Sequence, residues 1–265
     1  MGGRGKPLSS LIVSTWRSAR SSTPDEADGP PIRRGSPPRL RPSARFDQGV
    51  KPVDPPVRAG WHHGRVDIYV AGAGGVGREA YDAALAAGVE VTAFLDDRLS
   101  GTNVRGLPVL APADAPADAG YLVGIADPHV RQRLAGQLDG NGLTPVNLIH
   151  PRSIIGPDTA LGKGCLVLGG AHISSSIRIG DHCQVQYNAT VGHDTILADR
   201  VTVYPGANVS GSVFLDEDVT VGSNAVVLQG LKVGRGTFIG AGAVVTRDLG
   251  PGLVVVGAPA RPLQR

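Results

Sequence analysis

Among the side chains able to do chemistry, the pair His193-Asp194 stands apart. Imidazole titrates near neutrality and suits a general base, and an adjacent carboxylate can orient it and raise its basicity. An amine or hydroxyl must lose a proton as it attacks a carbonyl, and one well-placed histidine serves that step. The remaining histidines offer less: His62 and His63 lie in a proline-rich leading segment, His129 on an expected helix, His150 just before Pro151, and His172 and His182 further on. The two cysteines, Cys165 and Cys183, make no disulfide framework.

A second chemical signal is the run Gly72-Ala73-Gly74-Gly75-Val76-Gly77. It follows a buried-strand pattern over residues 66–71 and precedes a helix expected from Arg78 to Ala87, ending at Gly88. A second strand over residues 89–95 closes on Asp96-Asp97. This is the strand–GxGxxG–helix–strand–acid order of a nucleotide-binding unit. Its glycines let backbone N–H groups approach phosphate oxygens, the helix N-terminus favours their charge, and Asp96 or Asp97 can hydrogen-bond a ribose or base. A third strand is expected over residues 121–126. Asp127-Pro128 forms an N-cap and N1 pair for a helix over residues 128–138, and a last strand runs over residues 143–149. A dehydrogenase would open in the same way. From Val66 to Ile149 there are only 84 residues, however, about one half of a doubly wound dinucleotide domain.

The element that must position His193 is written in a period of six. Every sixth residue from Ile155 to Val245 is aliphatic without a break: Ile155, Leu161, Val167, Ile173 and so on through Val191, Val209 and Val227. Neither a helix nor a strand has that period. A chain that turns a corner every six residues does, and three hexapeptides make one coil of a parallel β-solenoid. Residues just after the inward aliphatic are often glycine (Gly156, Gly162, Gly180, Gly192, Gly222, Gly234, Gly240), which we expect to supply positive φ at the corners. Two positions before it, small residues recur, including Cys165, Ala171, Cys183 and Ala189. Cys165 and Cys183, one coil apart, should therefore stack about 4.8 Å from each other as interior filler. His182 and His193 fall on corners half a turn apart, so one chain cannot bring them together. Trimeric solenoids can bind zinc between chains through histidines, as the γ-class carbonic anhydrases do. The closely spaced second and third histidines of that family are missing here, and no metal is expected.

Composition divides the chain. Residues 1–65 carry 12 Lys or Arg against 5 acidic residues, and 10 of the 21 prolines; the remainder carries 14 against 18. The leading segment lacks the apolar periodicity that offsets ordering entropy and reads as a disordered basic tail. Its only apolar run, Leu11-Ile12-Val13, is too short for a signal sequence or a membrane span. We expect a cytoplasmic protein without a membrane span or nucleic-acid partner, organised as a tail (1–65), a Rossmann-like α/β nucleotide-binding domain (66–150) and a β-helix domain (151–265).

The Gly-rich unit ending in Phe94-Leu95-Asp96-Asp97, then Asn147-Leu148-Ile149-His150-Pro151, then coils containing Val191-Gly192-His193-Asp194, resembles the bacterial sugar O-/N-acyltransferases. That family includes sialic acid O-acetyltransferases and nucleotide-sugar N-acetyltransferases. The close, Val254-Val255-Val256-Gly257-Ala258-Pro259, is similar to the tails of hexapeptide acyltransferases. The resemblance implies a left-handed β-helix, a homotrimer, and acetyl-CoA as co-substrate along the solenoid edge between subunits. It also implies a UDP- or dTDP-amino sugar in the N-terminal domain, and His193 as general base with Asp194 behind it. Carried over by position, nucleotide contacts fall at Gly74, Gly75, Val76, Asp96, Asp97 and Ala126, and acetyl-CoA contacts at Thr202, Ser223 and Ala241. Two departures from the family pattern stand out. Val76 replaces a histidine of the Gly-rich loop, and Thr202 replaces a histidine found nine residues after the base in many relatives. The expected activity is N-acetylation. The alternatives are O-acetylation of a sialic acid or related sugar, and a non-catalytic solenoid scaffold.

Overall fold

The computed structural model describes residues 67–263; the tail expected over residues 1–65 lies outside them. Ile68–Ala71 (β1) is a short run of strand-forming residues, buried at its C-terminal end. Gly75–Ala86 (α1) follows, then Ala93–Leu95 (β2), the hairpin strands Asn103–Val104 (β3) and Leu107–Leu110 (β4), Gly120–Val123 (β5), Pro128–Gly140 (α2) and Thr144–Pro145 (β6). They form one sheet in the order β3-β4-β2-β1-β5-β6, parallel except for the β3–β4 pair. The chain leaves β1 first to one side and later to the other, so a crevice opens beyond the C-terminal ends of β1 and β5. As expected, Asp127 caps α2, its Oδ1 accepting from the N–H groups of His129 and Val130 at 2.9 Å. The strand expected over residues 143–149 divides instead. Thr144–Pro145 ends the first sheet, and Leu148–Ile149 begins the solenoid. The β3–β4 hairpin was not anticipated, because its polar tip Arg105-Gly106 flanks strands of only two and four residues.

From Leu148 onward two-residue strands recur every six residues and pair in parallel with the strand 18 residues on, as in Leu166↔Gln184 and Val167↔Val185. Three sheets result. The first carries Leu148–Ile149, Leu166–Val167, Gln184–Val185 and Thr202–Val203; the second carries Thr190–Val191; the third carries Arg178–Ile179. The inward aliphatics from Leu161 to Val245 are buried and form one continuous core. Small residues two positions earlier (Ala171, Ala189, Ala207, Ala225, Ala243) are buried with them, although Ile177, Val201, Val213 and Val219 take the same register elsewhere.

The corner glycines play a different part from the one expected. Positive φ falls three residues after each aliphatic, without a break from Asp158 to Gly242, and Asp, Asn, Ser, His and Arg adopt it as well as Gly. Gly156, Gly162, Gly180, Gly192, Gly222, Gly234 and Gly240 do not have positive φ. Each lies so close to the next coil that an added Cβ would come within 2.9 Å of it, as with Gly192 at 2.4 Å from the Gly211 nitrogen. Backbone-to-backbone approach, and not turn geometry, selects glycine there.

The first solenoid sheet packs against the α/β unit. Leu148, Leu166 and Leu168 join Val70, Phe94 and Leu122 in one buried cluster. His182 also belongs to this seam: its ring stacks on Tyr121 with centroids 6.2 Å apart. The Tyr121 hydroxyl donates to Asp139 Oδ1 at 2.7 Å. Cys165 and Cys183 are free and buried, with thiols directed at the carbonyls of Gly180 (3.2 Å) and Ala198 (3.0 Å). Burial pushes the Cys165 thiol up to about 12 and that of Cys183 well above its ordinary value, so both remain neutral filler. No helix among the described residues is long and apolar enough to cross a membrane.

Burial lowers the His182 pKa below the ordinary 6.5, opposed in part by the charges of Asp181 and Asp139. The unfolded chain therefore takes up this proton first as pH falls. The stability associated with neutral His182 is complete above about 6.5 and declines below it, levelling off beneath the folded value. We expect the melting temperature of the wild type to drop between pH 7 and pH 5 by more than that of His182→Phe, which keeps the stack on Tyr121 but cannot titrate. Parallel melting curves across that range check this.

Candidate functional site

Two groups of residues carry the site, one at the crevice and one at a solenoid corner. In the crevice, Gly72 has φ of +101°, and a Cβ there would meet Ile125 Cγ1 at 2.7 Å. Gly77 approaches the Gly72 carbonyl so closely that a Cβ would sit 1.8 Å from its oxygen. Around Gly74 and Gly75 nothing lies within 4 Å of an added Cβ, and both are exposed. The first and last glycines thus fold the loop, while the middle pair leaves open space in front of the first turn of α1. That helix starts at Gly75, earlier than the Arg78 expected, so the N–H groups of its first turn belong to the Gly-rich loop itself.

Asp96 holds this loop. Its Oδ2 accepts from the Ala73 N–H at 3.1 Å and its Oδ1 from the Arg98 N–H at 3.0 Å. Asp97 is exposed beside it. Gly124 lies against Gly77, and the half-buried Ala126 follows on the same wall. Gly74, Gly75, Asp96, Asp97 and Ala126 therefore converge on one crevice. Val76 starts from the same loop but packs against the apolar cluster around Ala80, Phe94 and Leu168.

The second group is His193-Asp194, at the corner between the second and third solenoid sheets. Asp194 sits at φ of 58°, a left-handed conformation that aspartate tolerates, and its side chain turns back to His193. Nδ1 of His193 lies 2.8 Å from Asp194 Oδ2, and both side chains are more than half exposed. A carboxylate only accepts, so the bond assigns the proton to Nδ1 and leaves the Nε2 lone pair free. The imidazole lies against Gly211, one coil on; a Cβ there would meet His193 Nε2 at 2.6 Å and Cε1 at 2.7 Å. Gly211 has no positive φ, and the nearest atoms to that Cβ all belong to the imidazole. The glycine makes room for the ring. Sequence reading missed it because Gly211 stands outside the glycine series that follows the aliphatics. The clue was its spacing of 18 from His193.

The three residues expected to meet acetyl-CoA separate. Ser223 and Ala241, half-buried and exposed respectively, lie one above the other on the corner between the first and second sheets. Thr202 is fully buried in the seam. Its hydroxyl accepts from Arg131 Nη2 at 2.9 Å and donates to the Ala126 carbonyl at 3.2 Å. That expectation is corrected: Thr202 has no surface to offer a coenzyme. The first sheet carries it beneath the α/β unit, where its partner strand supplies Gln184 and the strand beyond supplies Leu166. No cluster of three His, Cys, Asp or Glu side chains able to hold a metal occurs among the described residues.

Residues 67–138 match the family model described as the PglD N-terminal domain, and residues 212–247 match that of the bacterial transferase hexapeptide (six repeats). The acetyltransferase domain of PglB from Neisseria gonorrhoeae FA1090, solved in complex with acetyl coenzyme A, is 33% identical with a TM-score of 0.71. The match covers 76% of this chain and 100% of that one. A mutant of perosamine N-acetyltransferase from Caulobacter crescentus, in complex with CoA and GDP-perosamine, is 29% identical with a TM-score of 0.71. Here 75% of this chain and 97% of that one are covered. GDP-perosamine N-acetyltransferase from Escherichia coli O157:H7 is 34% identical over 91 residues, which make up 33% of this chain and 41% of that protein. The chain thus aligns with less than half the length of this curated relative.

The contact of His193 with Gly211 predicts the behaviour of Gly211→Ala. Only a side chain obstructs the new methyl, so the fold should persist with an unchanged or slightly raised melting temperature. The imidazole should leave its place and loosen its bond to Asp194. In NMR spectra of variant and wild type recorded at one pH, the His193 ring resonances should differ while those of the exposed His172 coincide. Unmoved His193 resonances would refute the contact.

Proposed function

As this chain belongs to the hexapeptide-repeat sugar acyltransferases, we propose that it transfers the acetyl group of acetyl-CoA to the amino group of a nucleotide-linked amino sugar. The observation that carries this reading is the exposed His193-Asp194 pair, with Nε2 free on a rigid corner. In the proposed reaction the amine nitrogen attacks the thioester carbonyl carbon and His193 Nε2 takes the proton the amine loses. Asp194 holds the Nδ1–H and stabilises the imidazolium that forms. The C–S bond breaks, and CoA leaves as its thiol with that proton. The residues 66–150 serve as a Rossmann-like nucleotide domain and 151–265 as a left-handed β-helix. In the crevice, Gly74 and Gly75 offer backbone N–H groups to a diphosphate, Asp97 a carboxylate to the ribose or base, and Asp96 keeps the loop in shape. The perosamine relatives are named with GDP, which joins UDP and dTDP as a candidate nucleotide.

Ser223 and Ala241 lie on a different corner from His193, which fits acetyl-CoA lying between two chains of a homotrimer. Sedimentation should give three times the 27.2 kDa chain mass; an active monomer would count against this arrangement.

The chemistry is tested by acetyl-CoA cleavage against a panel of UDP-, dTDP- and GDP-amino sugars, with hydroxyl acceptors included. His193→Ala should lower kcat by about 10²–10⁴, the usual cost of removing a general base. Asp194→Asn should cost less, since it acts through the ring, and acetyl-CoA affinity should survive both changes. Full activity in His193→Ala would end the proposal.

A further inference from the structure

The end of β5 at Val123 and its exit, residues 124–126, form one wall of the crevice, and residues 124–126 lie beyond the end of the strand pairing. Three of the wall's carbonyls, those of Val123, Ile125 and Ala126, are taken by side chains from outside the sheet. Gln184, on the first solenoid sheet, donates from Nε2 to the carbonyls of Val123 (2.9 Å) and Ile125 (3.1 Å). Arg131, on α2, donates from Nη1 to the carbonyls of Ile125 and Ala126, both at 2.9 Å. Its Nη2 reaches across the seam to the Arg200 carbonyl (2.5 Å) and Thr202 Oγ1 (2.9 Å). Arg131 and Gln184 are at most 1% exposed, and no carboxylate contacts the guanidinium among the described residues. Burial lowers the Arg131 pKa to about 10, which still leaves it a cation at neutral pH.

Burying a charge against neutral carbonyls and a hydroxyl is a costly way to join two units, because the lost hydration is offset only by hydrogen bonds. Leu148, Leu166 and Leu168 already join them by apolar packing. What the leucines cannot do is fix the wall. On its crevice side the wall meets the Gly-rich loop with almost no tolerance: a Cβ on Gly72 would strike Ile125 Cγ1 at 2.7 Å, and one on Gly124 would strike Gly77 Cα at 2.5 Å. A small displacement of residues 123–126 therefore moves the loop that carries Gly74 and Gly75.

We infer that Arg131 and Gln184 are positioning residues for the nucleotide part of the substrate, setting the crevice wall from the solenoid side. This rests on the reading of the crevice as the nucleotide site. The test measures binding of UDP, dTDP and GDP, and separately of acetyl-CoA, to the full chain by calorimetry. Gln184→Leu and Arg131→Lys should weaken the preferred nucleoside diphosphate about tenfold or more, since a displaced loop forfeits hydrogen bonds to the charged diphosphate. Acetyl-CoA affinity should not change. Leu166→Ala, which loosens the same seam without touching the wall carbonyls, should lower the melting temperature and leave nucleotide affinity intact. That contrast separates positioning from mere stability.

If the wild type binds acetyl-CoA but none of the three nucleotides, the crevice reading fails and this inference with it. If the wild type binds a nucleotide and both wall variants bind it equally well, the inference alone fails. It also fails if Leu166→Ala weakens the nucleotide as much as the wall variants do.

Discussion

The solenoid depends on one constraint: each coil hydrogen-bonds its backbone directly to the coil 18 residues on. At seven of the residues that follow an inward aliphatic that contact leaves no space for a Cβ, and each of the seven is glycine; the same stacking lets one left-handed residue turn each corner from Asp158 to Gly242. Corners built this way are rigid, and an exposed side chain on one of them inherits that rigidity. His193 is held on three sides by it. Its carbonyl accepts from the Ser212 N–H at 2.7 Å, its Nδ1 faces Asp194, and its ring rests on Gly211. An otherwise ordinary exposed histidine thereby acquires a fixed direction.

The same stacking gives the solenoid flat faces, one of which carries the α/β unit. Its leucines do the joining, while Gln184, Thr202, Arg131 and His182 place polar groups in a region closed to bulk solvent. Some of these keep an unpartnered buried atom among the described residues: Arg131 Nε, Gln184 Oε1 and His182 Nδ1. An apolar seam would be cheaper. Groups retained there despite that cost are candidates for a role other than adhesion.

How much could be read from the sequence followed from how local each cause is. The period of six, the Gly-rich loop and the Asp127 cap are repeated or nearest-neighbour signals, and each appears where the pattern put it. Failures came where the cause lies across the fold. The glycines after the aliphatics looked like turn residues because the coil they nearly touch is 18 positions away. Position in the family pattern assigns Thr202 to the coenzyme, and neither that pattern nor the six-residue period says which outward face another unit covers. Arg131 gave no signal at all. An arginine at an outward-looking helical position reads as solvated, and only the seam shows its four acceptors. Gly211 was legible in principle, by adding one coil to His193.

The division of the candidate acetyl-CoA positions has a consequence for assembly. A two-residue strand of the second sheet separates the corner of Ser223 and Ala241 from that of His193, and each corner points away from the other around a triangular section. A thioester held along the first corner of a chain cannot face the histidine on the second corner of that chain. It can face the histidine of a neighbour if chains pack corner to corner. On the proposed reading, the base and the coenzyme surface of each site come from different copies. The rigid corner that fixes the direction of His193 would then also fix where the next subunit must sit, so that stacking within one chain and packing between chains serve the same geometry.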